Sequence, residues 1–124
     1  AWTNWTPVVT QGVTPGQTVN FGRLIRHGRL IIASGRVSFS GAGTASNIIV
    51  VSGLPIPAIS SQQLMGYFRY DDIATNQYVG FCIGSSTTAF TMRRDGIADQ
   101  LGVSGPTIAN LDSLTFTVEY EAAT

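Results

Sequence analysis

Polar aromatic and charged residues are concentrated in one short stretch of the chain. Tyrosines, an arginine, two aspartates and an asparagine surround a polar loop, Asp71 to Asn76. Proteins hold sugars by stacking on ring faces and by fork-like hydrogen bonds to hydroxyls, and these residue types can do both. The alternative is that the tyrosines are half-buried strand residues with solvated hydroxyls. The candidate ligand-binding set is Tyr67, Arg69, Tyr70, Asp71, Asp72, Asn76 and Tyr78.

A second polar cluster follows the next apolar run. It consists of Arg93, Arg94 and Asp95, where aspartate and the following glycine predict a turn. Guanidinium and carboxylate groups side by side can contact a polar ligand. A salt-bridged strand end accounts for the same residues, so this cluster is the second candidate.

No catalytic set can be assembled from the sequence. Nucleophilic catalysis needs a base beside the nucleophile, and the only histidine, His27, is predicted at an exposed hairpin tip. The string around Ser104, from Gly102 to Gly105, is one residue short of a nucleophile elbow and lacks its strand-turn-helix context. The prediction is therefore a protein that is not an enzyme.

Paired carboxylates can catalyse glycoside hydrolysis as an acid and a base, but here they are a weak indication of that chemistry. Asp71 and Asp72 are adjacent, and Asp95 and Asp99 are close, but aspartate is common in turns for backbone reasons. Their spacing matches no EF-hand loop. Cys82 is the only cysteine, which excludes an intrachain disulfide and a zinc site built from several cysteines. No cofactor and no metal are expected.

The composition excludes several classes of protein. The chain has 124 residues and zero formal net charge, and only 11% of residues are charged, against a usual share of roughly 25%. All seven positive residues are arginine. A neutral chain lacks the basic field of a nucleic-acid binder, and no apolar run is long enough to span a membrane. The length suits a single domain, 1–124, in which residues 1–16 form a leading segment.

The pattern of apolar residues predicts an all-β fold. Fourteen glycines and five prolines interrupt the chain, so a long helix has no room to form. From Leu114 to Glu121, apolar and polar residues alternate with the period of a half-buried strand. Seven or eight strands in an antiparallel sandwich or jelly-roll-like barrel are expected. Further strands are predicted at Asn47 to Val51, Met65 to Tyr70, Gln77 to Ile83 and Ala89 to Arg94.

A long hairpin is expected between Asn20 and Ser40. Its turn is predicted at His27-Gly28, because glycine can adopt the positive φ of a tight turn. Gly35 interrupts the returning strand and predicts a β-bulge there. The two early tryptophans, Trp2 and Trp5, are expected to anchor the leading segment.

Five segments in order resemble the C-terminal head domain of bacteriophage tail-fibre and other virion-appendage proteins. The resemblance implies a β-sandwich or jelly-roll knob, usually trimeric, at the end of a fibre, and Ala1 then begins a piece of a longer protein. The family has no shared catalytic motif, and its receptor-binding loops vary. The segments are Trp2 to Val9 with Trp5-Thr6-Pro7, Gly22 to Arg29, Gly35 to Phe39, Val51 to Pro55, and Phe116 to Ala122.

The expected function follows from the β pattern, the missing catalytic set and the resemblance. The chain is predicted to be a virion module that forms a homotrimer, contacts other virion proteins and binds a host cell-surface glycan or protein receptor. A structural phage protein, such as a capsid decoration or a fibre spacer, is the alternative. A cellular lectin-like domain would show nearly the same sequence pattern.

Overall fold

One curled antiparallel sheet forms the protein, and the all-β prediction is confirmed. The computed structural model describes residues 2–73, 76–94, 99–103 and 105–124, so the predicted roles of Asp95 and Ser104 lie outside the described residues. The sheet order is β1-β3-β4-β9-β6-β7-β8-β5-β2. The strands are β1 Thr3–Asn4, β2 Val8–Thr10, β3 Gln17–His27, β4 Leu30–Phe39, β5 Val50–Ser52, β6 Met65–Asp71, β7 Gln77–Gly84, β8 Phe90–Arg94 and β9 Ser113–Glu121.

Helix is nearly absent from the described residues. The single helical element is a 3-10 turn at Ser61–Gln63, so no stretch of these residues forms a helix that could cross a membrane. Residues 99–103 and 105–112, between β8 and β9, form no helix. They contribute Leu101 and Ile108 to the core instead.

Strand β9 is central and has the alternation that its sequence predicts. Leu114, Phe116, Val118 and Tyr120 are all buried, while Glu119 and Glu121 are exposed. β9 pairs with β4 on one side and β6 on the other. A half-buried strand places its apolar residues on the core side of the pleat. The alternation alone was therefore sufficient to predict which side chains of β9 are buried.

Two details of the long hairpin differ from the sequence prediction. The two-residue loop is Gly28-Arg29, one position later than predicted, and Gly28 has φ +61°. The predicted bulge at Gly35 is wrong, because Gly35 pairs regularly with Gly22 and the register shifts between Val19 and Phe21 on the partner strand. Gly35 meets a packing need instead, since a Cβ there would lie 2.8 Å from Cζ of Phe116.

The leading segment forms both edges of the sheet. β1 pairs with β3 at one end of the strand order, and β2 pairs with β5 at the other end. Because β1 and β2 are close together in the chain, the leading segment brings the two ends of the curled sheet near each other. Trp5 lies between them and is buried, and its indole N–H donates to the carbonyl oxygens of Arg23 and Ser34 at 3.1 and 3.3 Å. Trp2 is 52% exposed, so only one of the two predicted anchors is buried.

Candidate functional site

Alternate residues of four neighbouring strands form the outer face of the sheet. Their intervening neighbours, such as Phe68 and Phe116, are buried, so these residues lie on the side away from the core. The register aligns them in rows across β4, β9, β6 and β7. From one end of the strands to the other, the rows are Ser38–Ser113–Asp71–Gln77, Arg36–Thr115–Arg69–Val79, Ser34–Thr117–Tyr67–Phe81 and Ile32–Glu119–Met65–Ile83.

The polar end of this face contains an open groove of about 590 Å³. Its floor comes from the first two rows, and the loops after β6 and before β9 supply its rim. Ile73 and Leu111, each 65% exposed, are the apolar part of that rim. The polar lining residues are Arg36, Arg69, Asp71, Asp72, Asn76, Gln77 and Ser113.

A chain of polar contacts runs across the groove floor. Arg69 Nε lies 2.9 Å from Asp71 Oδ1, and the other carboxylate oxygen of Asp71 accepts a hydrogen bond from Ser113 Oγ at 3.4 Å. Arg36 Nη2 donates to the same Ser113 hydroxyl at 3.4 Å. The Arg69 side chain is 56% exposed, so the floor presents a guanidinium beside a carboxylate. That arrangement can donate to one hydroxyl of a ligand and accept from the next.

Asp112 holds the groove rim in place from below. Its carboxylate is buried and accepts hydrogen bonds from the Tyr70 hydroxyl at 2.7 Å, the Ile73 amide at 3.2 Å and the Ala109 amide at 3.1 Å. Burial, and then the hydrogen bond to Asp112, raise the pKa of Tyr70 far above its usual range. The hydroxyl therefore keeps its proton and donates to Asp112 at neutral pH.

The structure divides the predicted ligand-binding set. Arg69, Asp71, Asp72 and Asn76 line the groove together.

The three predicted tyrosines lie outside the groove. Tyr70 is fully buried, and Tyr78 is half-buried with its ring 6.2 Å from that of Tyr70 in an edge-to-face contact. Both belong to the core side of β6 and β7, so neither ring is presented to a ligand in the groove. Tyr67 is 66% exposed on the outer face, but it borders a neighbouring apolar depression.

The second predicted cluster is not one surface. Arg93 is paired with Phe81 on the outer face, and its Nε is buried with no hydrogen-bond partner among the described residues. The guanidinium carbon of Arg94 lies 4.9 Å from the centre of the Tyr78 ring, which is on the core side. Successive strand residues point to opposite faces, so the two arginines are separated.

Other chemically reactive side chains are isolated from the groove. His27 is exposed at the hairpin end, and Cys82 is buried, which raises the pKa of its thiol. In the described ranges, no group of three histidine, cysteine or acidic residues is arranged to hold a metal.

Sequence reasoning missed the half of the site that comes from distant strands. Arg36, Ser113 and Asp112 belong to β4, β9 and the loop before β9, and the prediction had not paired those strands with β6. Arg36 does occupy an outward position in the alternation of β4, which was the available signal. Comparisons with known protein families, with curated proteins and with solved structures find no match for this chain.

Proposed function

We propose that this chain is a non-enzymatic head module of a virion appendage, such as a phage tail fibre, and that it attaches to a host cell-surface saccharide. The observation that carries the binding proposal is the groove in which the exposed side chain of Arg69 lies beside the partly buried carboxylate of Asp71. The virion context rests on the resemblance of the five ordered sequence segments to fibre head domains.

The groove has the chemistry that a saccharide needs. Adjacent hydroxyls of a sugar ring both donate and accept hydrogen bonds, and the Arg69–Asp71 pair offers a donor next to an acceptor. The apolar rim at Ile73 and Leu111 suits the C–H face of a sugar ring. Because the groove is open at the protein surface, a saccharide chain longer than one sugar can lie along it.

Weak single sites are compatible with attachment if several copies act together. A shallow polar groove exchanges bound water for sugar hydroxyls, so each contact contributes little net free energy. We propose that the chain is a homotrimer, in which three grooves engage a surface that carries many copies of the glycan. The overall affinity of such multivalent attachment is much higher than the affinity of a single site, although no new kind of contact is made.

The test is binding of the purified protein to a glycan array and to whole host cells. Asp71→Asn keeps the shape of the side chain but removes the charge, and we expect at least a tenfold loss of saccharide binding. His27→Gln is the matched control, because His27 is exposed at the opposite end of the long strands. No array signal together with no adsorption to cells would refute the receptor proposal.

A structural virion protein is the second candidate, and a specific observation favours it. Large apolar side chains are exposed on the outer face beyond the groove, as a subunit contact would require. If Asp71→Asn dissociates the oligomer, the groove lies at a subunit contact and the structural role is favoured. Lost adsorption with an intact oligomer favours the receptor role.

A further inference from the structure

The positive and negative charges of the chain are separated along its sequence. Residues 1–70 contain five arginines and no acidic residue, whereas residues 71–124 contain all seven acidic residues and two arginines. Four of the five early arginines belong to the long hairpin of β3, β4 and the loop between them. The hairpin therefore has no acidic residue of its own to pair with its four positive charges.

Two of these arginines are used at the loop end of the hairpin. Arg29 Nε lies 3.7 Å from Glu121 Oε2 and donates to the carbonyl oxygen of Ala122 at 3.1 Å. Arg26 Nη2 donates to the carbonyl oxygen of Thr124. These contacts join the hairpin to β9 and to the residues that follow β9, so both side chains have a structural role.

The other two hairpin arginines are exposed on the outer face at the β4 side of the groove. We define the arginine pair as Arg23 and Arg36. In the ranges that the structure describes, neither forms an ion pair with an acidic residue. Their one hydrogen bond there runs from Arg36 Nη2 to Ser113 Oγ at 3.4 Å, which is long. Because a guanidinium has five N–H donors, most donors of the arginine pair are available to a ligand.

The ring of Phe21 keeps the arginine pair together. Phe21 and Arg36 are direct cross-strand partners on β3 and β4, so their side chains start about 5 Å apart. The guanidinium carbon of Arg23 lies 5.1 Å from the centre of the Phe21 ring, a distance at which the ring face attracts a cation. Two positive charges are thus held close to each other, and an anion that contacts both would relieve their repulsion.

The charges that line the groove are divided between its two sides. Because β9 lies between β4 and β6, Arg36 is roughly 10 Å from the strand that carries Arg69 and Asp71. Arg69 offsets the carboxylate of Asp71 at 2.9 Å. Asp72 belongs to the loop after β6, on that same side. The β4 side of the groove is therefore positive, and no acidic residue of β3 or β4 opposes an anion there.

We propose that the saccharide bound in the groove is acidic, and that a carboxylate on one of its rings lies against the arginine pair. Hydroxyls of the same chain bind the Arg69–Asp71 pair on the other side of the groove. The two oxygens of a carboxylate match the fork of a guanidinium, and such charge-assisted hydrogen bonds are roughly twice as strong as neutral ones. Chains of uronic or sialic acids carry this group. The inference rests on the proposed saccharide binding and names the class of saccharide.

The first experiment compares carboxylates with their methyl esters, which have nearly the same shape but no charge. The probes are polygalacturonate, polymannuronate, hyaluronan and polysialic acid, each with its methyl ester, on an array that also carries neutral glycans. The wild-type protein is expected to bind at least one of the acids, and to bind its methyl ester at least tenfold more weakly. Equal binding of acid and ester, or binding confined to neutral glycans, would overturn the proposal.

Substitutions in the arginine pair test which residues read the carboxylate. Arg36→Gln should lower the affinity for the acid at least tenfold and change the affinity for the ester less than twofold. Arg23→Gln should lower the affinity for the acid several-fold. Arg26→Gln is the matched control, because it makes the same change on the same hairpin at the end away from the groove, and it should preserve the preference for the acid.

The ratio of the two affinities separates a carboxylate contact from a general effect. An acid-to-ester ratio that is unchanged in both Arg36→Gln and Arg23→Gln would show that the arginine pair does not bind the carboxylate. An equal loss of acid and ester binding in Arg36→Gln, or the same fall of the ratio in Arg26→Gln, would also count against the proposal.

Asp71→Asn distinguishes a failure of this inference from a failure of the saccharide proposal. It removes a charged acceptor of sugar hydroxyls and should weaken binding of neutral glycans and methyl esters at least tenfold. If neutral glycans bind, and Asp71→Asn weakens them while Arg36→Gln changes nothing, the saccharide proposal stands and the acidic class is wrong. Absence of binding to every acidic and neutral glycan would refute both.

Discussion

The hydroxyl of Tyr70 donates a hydrogen bond of 2.7 Å to the buried carboxylate of Asp112. Tyr70 lies in the core on β6, and Asp112 closes the loop before β9, so this bond joins the centre of the sheet to the rim of the groove. The same carboxylate accepts the amides of Ile73 and Ala109. The shape of the exposed groove therefore depends on a polar contact that is itself shielded from water.

Removing this hydroxyl should destabilise the protein measurably. Tyr70→Phe leaves a buried carboxylate with fewer donors, and hydrogen bonds to charged groups contribute about 1.5 to 3 kcal/mol. Tyr120→Phe is the comparison, because its hydroxyl donates to the neutral carbonyl of Ile56 at 2.7 Å and should cost about 1 kcal/mol. Urea unfolding measures both free energies. Equal losses in the two variants would argue against a special role for Asp112.

Alkaline pH should weaken the folded state over a defined range. Burial raises the pKa of Tyr120 to about 12 from the model-compound value of 10.0, so the folded state holds this proton more tightly than the unfolded chain. The stabilisation is fully present below pH 10 and is lost as pH rises through the folded pKa. The free energy of unfolding, measured by urea titration at several pH values, should fall between pH 10 and 12. Tyr120→Phe should flatten that fall, and an unchanged slope would contradict the assignment.

Gly35 should resist substitution although it lies in a regular strand. Gly35→Ala places a Cβ 2.8 Å from the ring of Phe116, and overpacking of this kind costs typically about 1 to 3 kcal/mol. Ser34→Ala, at the neighbouring outward position, should change stability little. Adding Phe116→Leu to Gly35→Ala should make the cost of the alanine smaller than in the wild-type background. Thermal unfolding of the wild type, of Gly35→Ala and Phe116→Leu alone and of their combination tests this, and additive effects would rule out the steric explanation.

Gln17 should hold the second edge strand to the sheet. Its amide accepts from Val9 N–H at 2.9 Å and donates to the carbonyls of Val9 and Pro15 at 2.8 and 3.0 Å. Gln17→Ala leaves these backbone groups without their partner and should cost about 1 to 3 kcal/mol locally. Hydrogen exchange of the Val9 amide should accelerate at least tenfold. The exposed Gln62→Ala serves as control, and unchanged protection of Val9 would show that β2 is held by β5 alone.

Leu111 should show opposite effects on stability and on binding. It has φ +74°, a backbone conformation that strains a non-glycine residue. Because its side chain is 65% exposed, burial adds little stabilisation to offset that strain. Leu111→Asn should raise the free energy of unfolding by about 0.5 to 1 kcal/mol, because asparagine tolerates this conformation. The same change removes half of the apolar rim and should weaken saccharide binding several-fold.

Ile73→Asn separates the two effects at Leu111. Ile73 supplies the other half of the rim, with no positive φ to relieve, so its replacement should weaken binding without stabilising the protein. Calorimetry for stability and glycan titration for affinity are the two measurements. A stabilisation of the same size in both variants would show that backbone strain at Leu111 is not the cause.

Local patterns in the sequence were sufficient to predict most of the longer strands, and for β9 also the side that faces the core. The alternation from Leu114 to Tyr120 placed every one of those apolar side chains correctly, because a half-buried strand has a fixed period of two. The loop after β6 could also be located, since its polar residues interrupt two apolar runs. In both cases the physical cause acts over a few neighbouring residues.

The composition of the groove and the fate of the tyrosines depended on the tertiary structure. Tyr70 was as plausible a ligand platform as Tyr67 from sequence, and the pairing of β6 with β9 placed Tyr70 in the core and Tyr67 outside. Arg36 and Ser113 joined Asp71 only because β4, β9 and β6 are neighbours in the sheet. Strand alternation determines which residues of one strand share a face. The order and register of distant strands depend instead on how the whole core packs. In this protein, strand order and register decided which polar groups meet in the groove.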